Sequence, residues 1–180
     1  MDPQKISKGV RLILEGIEED TAREGLQNTP ERVAEMYQEI LQGMDKEPVL
    51  EADFSEEVSD DLILIRDIPF YSMCEHHLLP FFGKVHIAYI PKSNKVAGFS
   101  ALTRLVDIFS QRLQIQERLT RDIANAINKF LKPKGVLVMI EAQQLCVSMR
   151  GNKKDSVRTI TKSIHGEISS DCLQILGQRS

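Results

Sequence analysis

The stretch Phe81-Phe82-Gly83-Lys84-Val85-His86-Ile87-Ala88-Tyr89-Ile90-Pro91 alternates Val85, Ile87 and Tyr89 against Lys84, His86 and Ala88. That period of two predicts a strand over 81–90 with one apolar face, ended by Pro91. Upstream, Leu62-Ile63-Leu64-Ile65 predicts a partner strand. Downstream, Leu102, Leu105, Val106 and Phe109, then Leu119, Ile123, Ile127 and Phe130, recur at intervals of three and four. They predict helices over 100–111 and 116–131, the second stopped by Lys132-Pro133-Lys134-Gly135. Further strands are predicted over 136–142, 145–149 and 158–164. Nearer the start, Ile6, Val10, Ile13, Leu14 and Ile17 predict an amphipathic helix over 4–16. Val33, Met36, Tyr37, Ile40 and Leu41 predict a second helix, with Asn28 as N-cap, Pro30 in the first turn and an end at Gly43. Two helices, two strands, two helices and then strands make an α+β order. Residues 1–43 are expected to form an N-terminal helical extension, 44–60 an acidic surface connection, and 61–180 the main domain.

Composition narrows the function classes. The chain has 180 residues, 42% apolar and 27% charged, enough for one domain with a proper core. Lys+Arg number 23 against 26 Asp+Glu, a net charge of -3, which argues against nucleic-acid binding through bulk attraction. An anionic ligand therefore needs a local basic pocket. The longest apolar runs, such as Gly135 to Ile140, fall far short of the ~20 residues that cross a bilayer, so no membrane partner is expected. Met1-Asp2-Pro3-Gln4-Lys5 has neither the basic start nor the apolar core of a secretory signal, which makes a cytoplasmic location the expectation. Three cysteines suit reduced thiols, for packing or for metal, better than a disulfide framework.

The chemistry concentrates in Cys74-Glu75-His76-His77. A thiolate and an imidazole three residues apart can bind one zinc ion, and Cys146, in a strand-like segment, offers a third donor. Three protein ligands leave the fourth position open, which marks a catalytic rather than a structural zinc. The same residues also suit two packing thiols and two loop histidines, and spacing alone does not separate these readings.

Four ordered blocks do. Cys74-Glu75-His76-His77, Gly83-Lys84-Val85-His86-Ile87-Ala88-Tyr89-Ile90-Pro91, Gln116-Glu117-Arg118-Leu119-Thr120 and Cys146-x-x-x-Arg150-Gly151 together resemble the zinc-dependent GTP cyclohydrolase I family. The likeness begins at Glu24-Gly25-Leu26 and Thr29-Pro30-x-Arg32 and runs to about Gly166. The resemblance implies a tunnelling fold, in which antiparallel sheets and paired helices of several subunits close a barrel, as homodecamers with active sites between subunits. On that reading 61–180 is the catalytic domain. It also implies a reaction: zinc-activated water attacks C8 of the guanine of GTP, the imidazole ring opens, formate leaves, and the ribose rearranges to give dihydroneopterin triphosphate.

Carried over by resemblance, Cys74, His77 and Cys146 are the zinc ligands and His76 is the acid/base histidine, a role that suits a group able to take and return a proton. Glu117 accepts hydrogen bonds from the guanine N–H groups, with Gln116 beside it in the base pocket. Ser100 lies at the pocket wall, and Arg32, Arg104 and Arg150 clamp the triphosphate, as planar forks suit phosphate oxygens. Three positions depart from the family's pattern. Gln144 stands where a second catalytic histidine is usual, Glu35 where a phosphate-binding lysine is frequent, and Ala101 where a lysine commonly follows the serine. Glutamine hydrogen-bonds but shuttles no proton, and general acid–base help is worth about 10²–10⁴ in rate. Removing two positive charges and adding a negative one beside a polyanion is a large change, since one charge pair at 4 Å is worth about 4 kcal/mol at an effective dielectric of 20. Lys153 and Lys154 are candidates to compensate. Three readings follow: a working cyclohydrolase, a diverged paralogue that takes a less phosphorylated guanine nucleotide or halts at the formylamino-pyrimidine, and a non-catalytic nucleotide-binding or regulatory member. His86 is read as a structural hydrogen-bonding residue and Cys172 as a partly packed thiol.

Overall fold

The computed structural model describes residues 1–51, 53–54, 61–151 and 153–168. Cys172 lies outside them. The alternating stretch is strand β3 (Pro80–Ile90), the centre of a five-stranded sheet. β2 (Ile63–Cys74) and β6 (Gly135–Gln144) pair antiparallel on either side of it. β7 (Thr159–Gly166) pairs antiparallel with β6 and forms one edge, while β5 (Leu113–Gln114) pairs parallel with the end of β2 at the other. A side chain at Gly83 would collide with the carbonyl oxygen of Glu141, so the β3–β6 contact requires glycine there.

Helices α3 (Phe99–Ser110) and α4 (Gln116–Leu131) cover one face of the sheet. Leu102, Leu105, Val106, Leu119, Ile123 and Ile127 are wholly buried with Val85, Ile87, Tyr89, Val136, Val138 and Ile140. Each such side chain contributes about 1.5–3 kcal/mol on burial, so the α+β reading rests on the alternation and the two helical stripes meeting in one core. α4 stops because Lys132 turns left-handed, its N–H bonded to the Asn128 carbonyl, and Pro133 cannot continue the helix.

The other face departs from expectation. His86 and Ala88 are buried rather than solvated, and Ala88 packs with Leu137, Leu64, Met139 and Ile168 in a second, smaller cluster. β2 carries a register shift between Ile65 and Ile68, with Asp67 in the left-handed region at φ 61°. The Asp67 N–H donates to His86 Nδ1 at 3.2 Å, as the structural reading of that histidine requires. Burial pushes the His86 imidazole below its ordinary pKa. The bulge also explains why periodicity ends at Ile65 although the strand continues to Cys74. Before it Ile63 and Ile65 face the core; after it Ile68 and Phe70 do, one residue out of step.

α1 (Pro3–Gly16) and α2 (Thr29–Ile40) pack together at the start of the chain. Asp2 caps α1 by accepting the Lys5 N–H at 3.1 Å, yet α1 buries none of its residues, and Leu12, Ile13 and Ile17 remain exposed. The expected cap of α2 is corrected, for the Asn28 side chain makes no capping bond. The helix also ends at Ile40 rather than Gly43. A 3₁₀ turn, Gln42–Asp45, follows, and the Gly43 N–H bonds to the Gln111 carbonyl at 3.0 Å. Within 44–60, β1 (Asp53–Phe54) pairs with β4 (Lys95–Val96), so part of the expected connection is a strand. The strand expected over 145–149 is instead a single helical turn, α5 (Leu145–Ser148).

Candidate active site

Strand register brings the distant cysteines together. Cys74 ends β2 and opens a tight turn into β3, where Met73 lies opposite Pro80. Phe81, the next residue of β3, lies opposite Gln144 at the end of β6, and Cys146 follows two residues on, in α5. Both thiols are free; Cys74 is 4% exposed and Cys146 half-buried. The Cys146 pKa is raised, first by burial and then by the neighbouring Cys74 sulfur, and both residues belong to the same packed cluster. Two adjacent thiolates disfavour each other's charge, and a divalent cation between them removes that cost.

The turn is fixed at its base. The Cys74 N–H donates to the Leu79 carbonyl and the Leu78 N–H to the Cys74 carbonyl, both at 2.9 Å, with Leu78 left-handed at φ 52°. The Glu75 N–H bonds to the Gln114 carbonyl at 3.1 Å. His76 and His77 stand outward on the turn, exposed, edge to face with ring centroids 6.4 Å apart. The expected third ligand is therefore not gathered with the sulfurs as the side chains stand: among the described residues no three His, Cys, Asp or Glu side chains form a cluster that holds a metal. The donor set itself fits zinc, with two neighbouring cysteines and an imidazole three residues from one of them.

α4 starts at the same end of the sheet. Gln116, only 1% exposed, donates through Nε2 to the Ile140 carbonyl at 3.0 Å, the Thr159 carbonyl at 2.9 Å and Thr161 Oγ1 at 3.1 Å. Its Oε1 accepts from Gln144 Nε2 at 3.0 Å, and Gln144 Oε1 faces Cys146 Sγ at 3.8 Å. The Gln116 side chain thus points into the protein, joining α4 to β6 and β7, rather than toward a base pocket. Gln144 spans the gap between that glutamine and the thiol pair. Glu117, the next residue, is exposed in the first turn of α4 and free to meet a ligand.

The residues expected at the phosphates are all exposed. Arg150 lies two residues beyond α5, and its charge lowers the Cys146 pKa in opposition to burial. Arg32 donates through Nη2 to the Gly25 carbonyl and Thr29 Oγ1, both at 3.1 Å. Ser100 and Arg104 stand on the first turns of α3, where Ala101 packs against the core. Glu35 is exposed on α2.

Sequence reading missed the partner of Glu75. Arg118 donates through Nη1 and Nη2 to the two oxygens of that carboxylate at 2.6 and 2.9 Å, holding it below the ordinary carboxylate pKa. One signal was available: a cation in the first turn of α4 opposes the helix dipole and calls for a partner.

Fold and site together define a sheet-and-helix-pair protein whose strand ends bring two thiols, two imidazoles and a helix-start carboxylate to one rim. A crystal structure of the archaeosine synthase QueF-Like in the apo form shares this tunnelling architecture, with a TM-score of 0.51 and 18% identity over 62% of this chain and 99% of that one. The chain belongs to the GTP cyclohydrolase I family, whose model matches residues 6–174. It is 54% identical over 168 residues to GTP cyclohydrolase 1 of Carboxydothermus hydrogenoformans, covering 92% of this chain and 87% of that one. It is 53% identical to GTP cyclohydrolase 1 of Streptococcus mutans, over 94% and 89% of the two chains.

Proposed function

We propose that this chain hydrolyses GTP at the guanine imidazole ring, with release of formate, and that Cys74, His77 and Cys146 hold a zinc ion for that step. The observation that carries the reading is the meeting of Cys74 and Cys146, 72 residues apart in sequence, beside the start of α4. When bound, zinc supplies Lewis acidity for water attack at a purine carbon. The chain's own residues do the rest. Glu117 receives the guanine N–H donors at the helix start, His76 takes and returns protons at the opening ring, and Arg32, Arg104 and Arg150 meet the triphosphate, with Ser100 at the wall.

A second reading is favoured by Gln144. Its amide is engaged with Gln116 and faces Cys146, and an amide carries no titratable proton. On this reading ring opening proceeds and the hydrolytic loss of formate slows, so formylamino-pyrimidine accumulates. Incubation of the zinc-loaded protein with guanosine mono-, di- and triphosphate separates the two: pterin fluorescence supports full turnover, and formylamino product alone supports the halted reaction. Failure to consume any of the three nucleotides would sink both and leave a nucleotide-binding or regulatory member.

The same proposal makes the protein a cytoplasmic homodecamer with residues 61–180 as its catalytic domain. In its support, among the described residues β7 pairs on one side only and leaves Ile160 and Ile164 exposed at 60% and 45%, and β2 is paired with β5 over two residues alone. Strands with open edges join copies into closed sheets. A monomer of 20.4 kDa in solution at micromolar concentration would contradict that assembly. Among the described residues no helix is long and apolar enough to cross a membrane.

A further inference from the structure

We infer that Arg118 is a positioning residue for the metal turn, holding Glu75, and through it Cys74 to His77, in fixed relation to the start of α4. The inference rests on the zinc-centred reading above. The guanidinium meets both carboxylate oxygens in a fork, at 2.6 and 2.9 Å. The two side chains are 35% and 32% exposed, so the pair adds little to folding stability; a bidentate fork mainly fixes direction.

What it directs follows from its neighbours. Glu75 lies between Cys74 and His76, and Arg118 follows Glu117. Backbone bonds tie the base of the turn to Leu79 and Gln114. Beside the backbone bonds, the Glu75–Arg118 fork is the polar side-chain link from this turn to another element among the described residues. One side-chain ion pair thus couples the turn that presents the imidazoles to the helix start that presents Glu117, in addition to the backbone bond from Glu75 to Gln114. Loss of the fork leaves the backbone base intact and frees the part that carries His76 and His77. Partners that orient ligand-bearing segments typically matter by about ten- to a hundredfold in metal affinity or activity.

The test compares wild type, Arg118→Met, Arg118→Lys and Glu75→Gln. Zinc affinity is measured by competition with a chromogenic chelator, formate release from GTP is followed on the zinc-loaded proteins, and melting temperatures are recorded alongside. Arg118→Met should bind zinc about ten- to a hundredfold more weakly and lower kcat with little change in KM, while melting close to wild type. Arg118→Lys, which keeps the charge and loses the fork, should recover part of both. Wild-type zinc affinity in folded Arg118→Met overturns the inference, as does a rise in KM alone, which would make Arg118 a nucleotide contact. Should Arg118→Met fail to fold, wild-type zinc affinity in both Arg118→Lys and Glu75→Gln overturns it equally. A wild-type protein that takes up no zinc fails the zinc-centred reading first, and is distinguished by that control.

Discussion

The two segments that bring cysteine to the rim of the sheet are built in opposite ways. The Cys74 turn is clamped at its backbone by three hydrogen bonds and held outside by Arg118, and its imidazoles face solvent. The Cys146 turn is a single helical turn whose preceding residue, Gln144, reaches inward to the buried amide of Gln116. The first turn carries the proposed ligands Cys74 and His77; the second carries an amide, Gln144, two residues before Cys146. Precision at the first comes from backbone geometry, at the second from side-chain amides.

The widest gap between the two turns should appear on replacing the sulfurs. If both donate to one ion, Cys74→Ser and Cys146→Ser each weaken zinc binding and lower formate release to a similar extent. With zinc binding worth about 10–16 kcal/mol over four ligands, one lost ligand costs about 3 kcal/mol, roughly a hundredfold in affinity. Atomic absorption on dialysed protein reads the outcome. Stoichiometric zinc in Cys146→Ser would assign the metal to the first turn alone.

Next in size is Gln144→His, which restores a titratable group to the second turn. Pterin formation should rise by about 10²–10⁴ relative to wild type, while zinc content and the rate of GTP loss change little. Equal pterin yields from the two proteins would show that another residue already moves that proton. A smaller effect is expected on stability from Gln116→Leu. It leaves the Gln144 amide without its acceptor and removes the donor shared by the Ile140 and Thr159 carbonyls and Thr161. Unsatisfied buried groups cost about 1–3 kcal/mol each, partly offset here by ladder bonds, so chemical denaturation should show a loss of about 2–3 kcal/mol. A neutral result would mean that the amide contributes no net stability at this junction.

The contrast between the turns also explains what was legible in the sequence. The helices over 100–111 and 116–131 and the strand over 81–90 read cleanly because each has one buried stripe at the period of its backbone. β2 was legible only to Ile65, because the bulge at Arg66-Asp67 shifts its alternation by one. The run Leu145-Cys146-Val147 has strand composition, and four residues are too few to show a helical period, so the single turn α5 reads as a strand. The motif blocks implied that Cys74 and Cys146 share a site, and in the structure Cys74 is near enough to raise the Cys146 pKa. The inward direction of Gln116 and the pairing of Glu75 with Arg118 did not follow. They depend on contacts across 28 and 43 positions, which no local pattern encodes.

His86 offers a control remote from both turns. Its imidazole is buried on β3, Nδ1 accepts the Asp67 N–H, and burial depresses its pKa against the opposing charges of Asp67 and Glu141. The unfolded chain takes up a proton near the ordinary imidazole value of about 6.5, whereas the folded chain resists until lower pH. Between those two values the unfolded state binds more protons, so stability falls as pH falls; below the folded value the loss levels off. One proton sets the slope at no more than about 1.4 kcal/mol per pH unit. His86→Gln, whose side-chain oxygen can still accept from Asp67, should melt slightly below wild type at neutral pH and lose its share of that acid-side slope. An unchanged slope in urea melts between pH 7 and 5 would assign the acid sensitivity elsewhere. Zinc occupancy at neutral pH should match wild type, because the bulge it caps lies several residues along β2 from Cys74, with the clamped backbone of the turn between them.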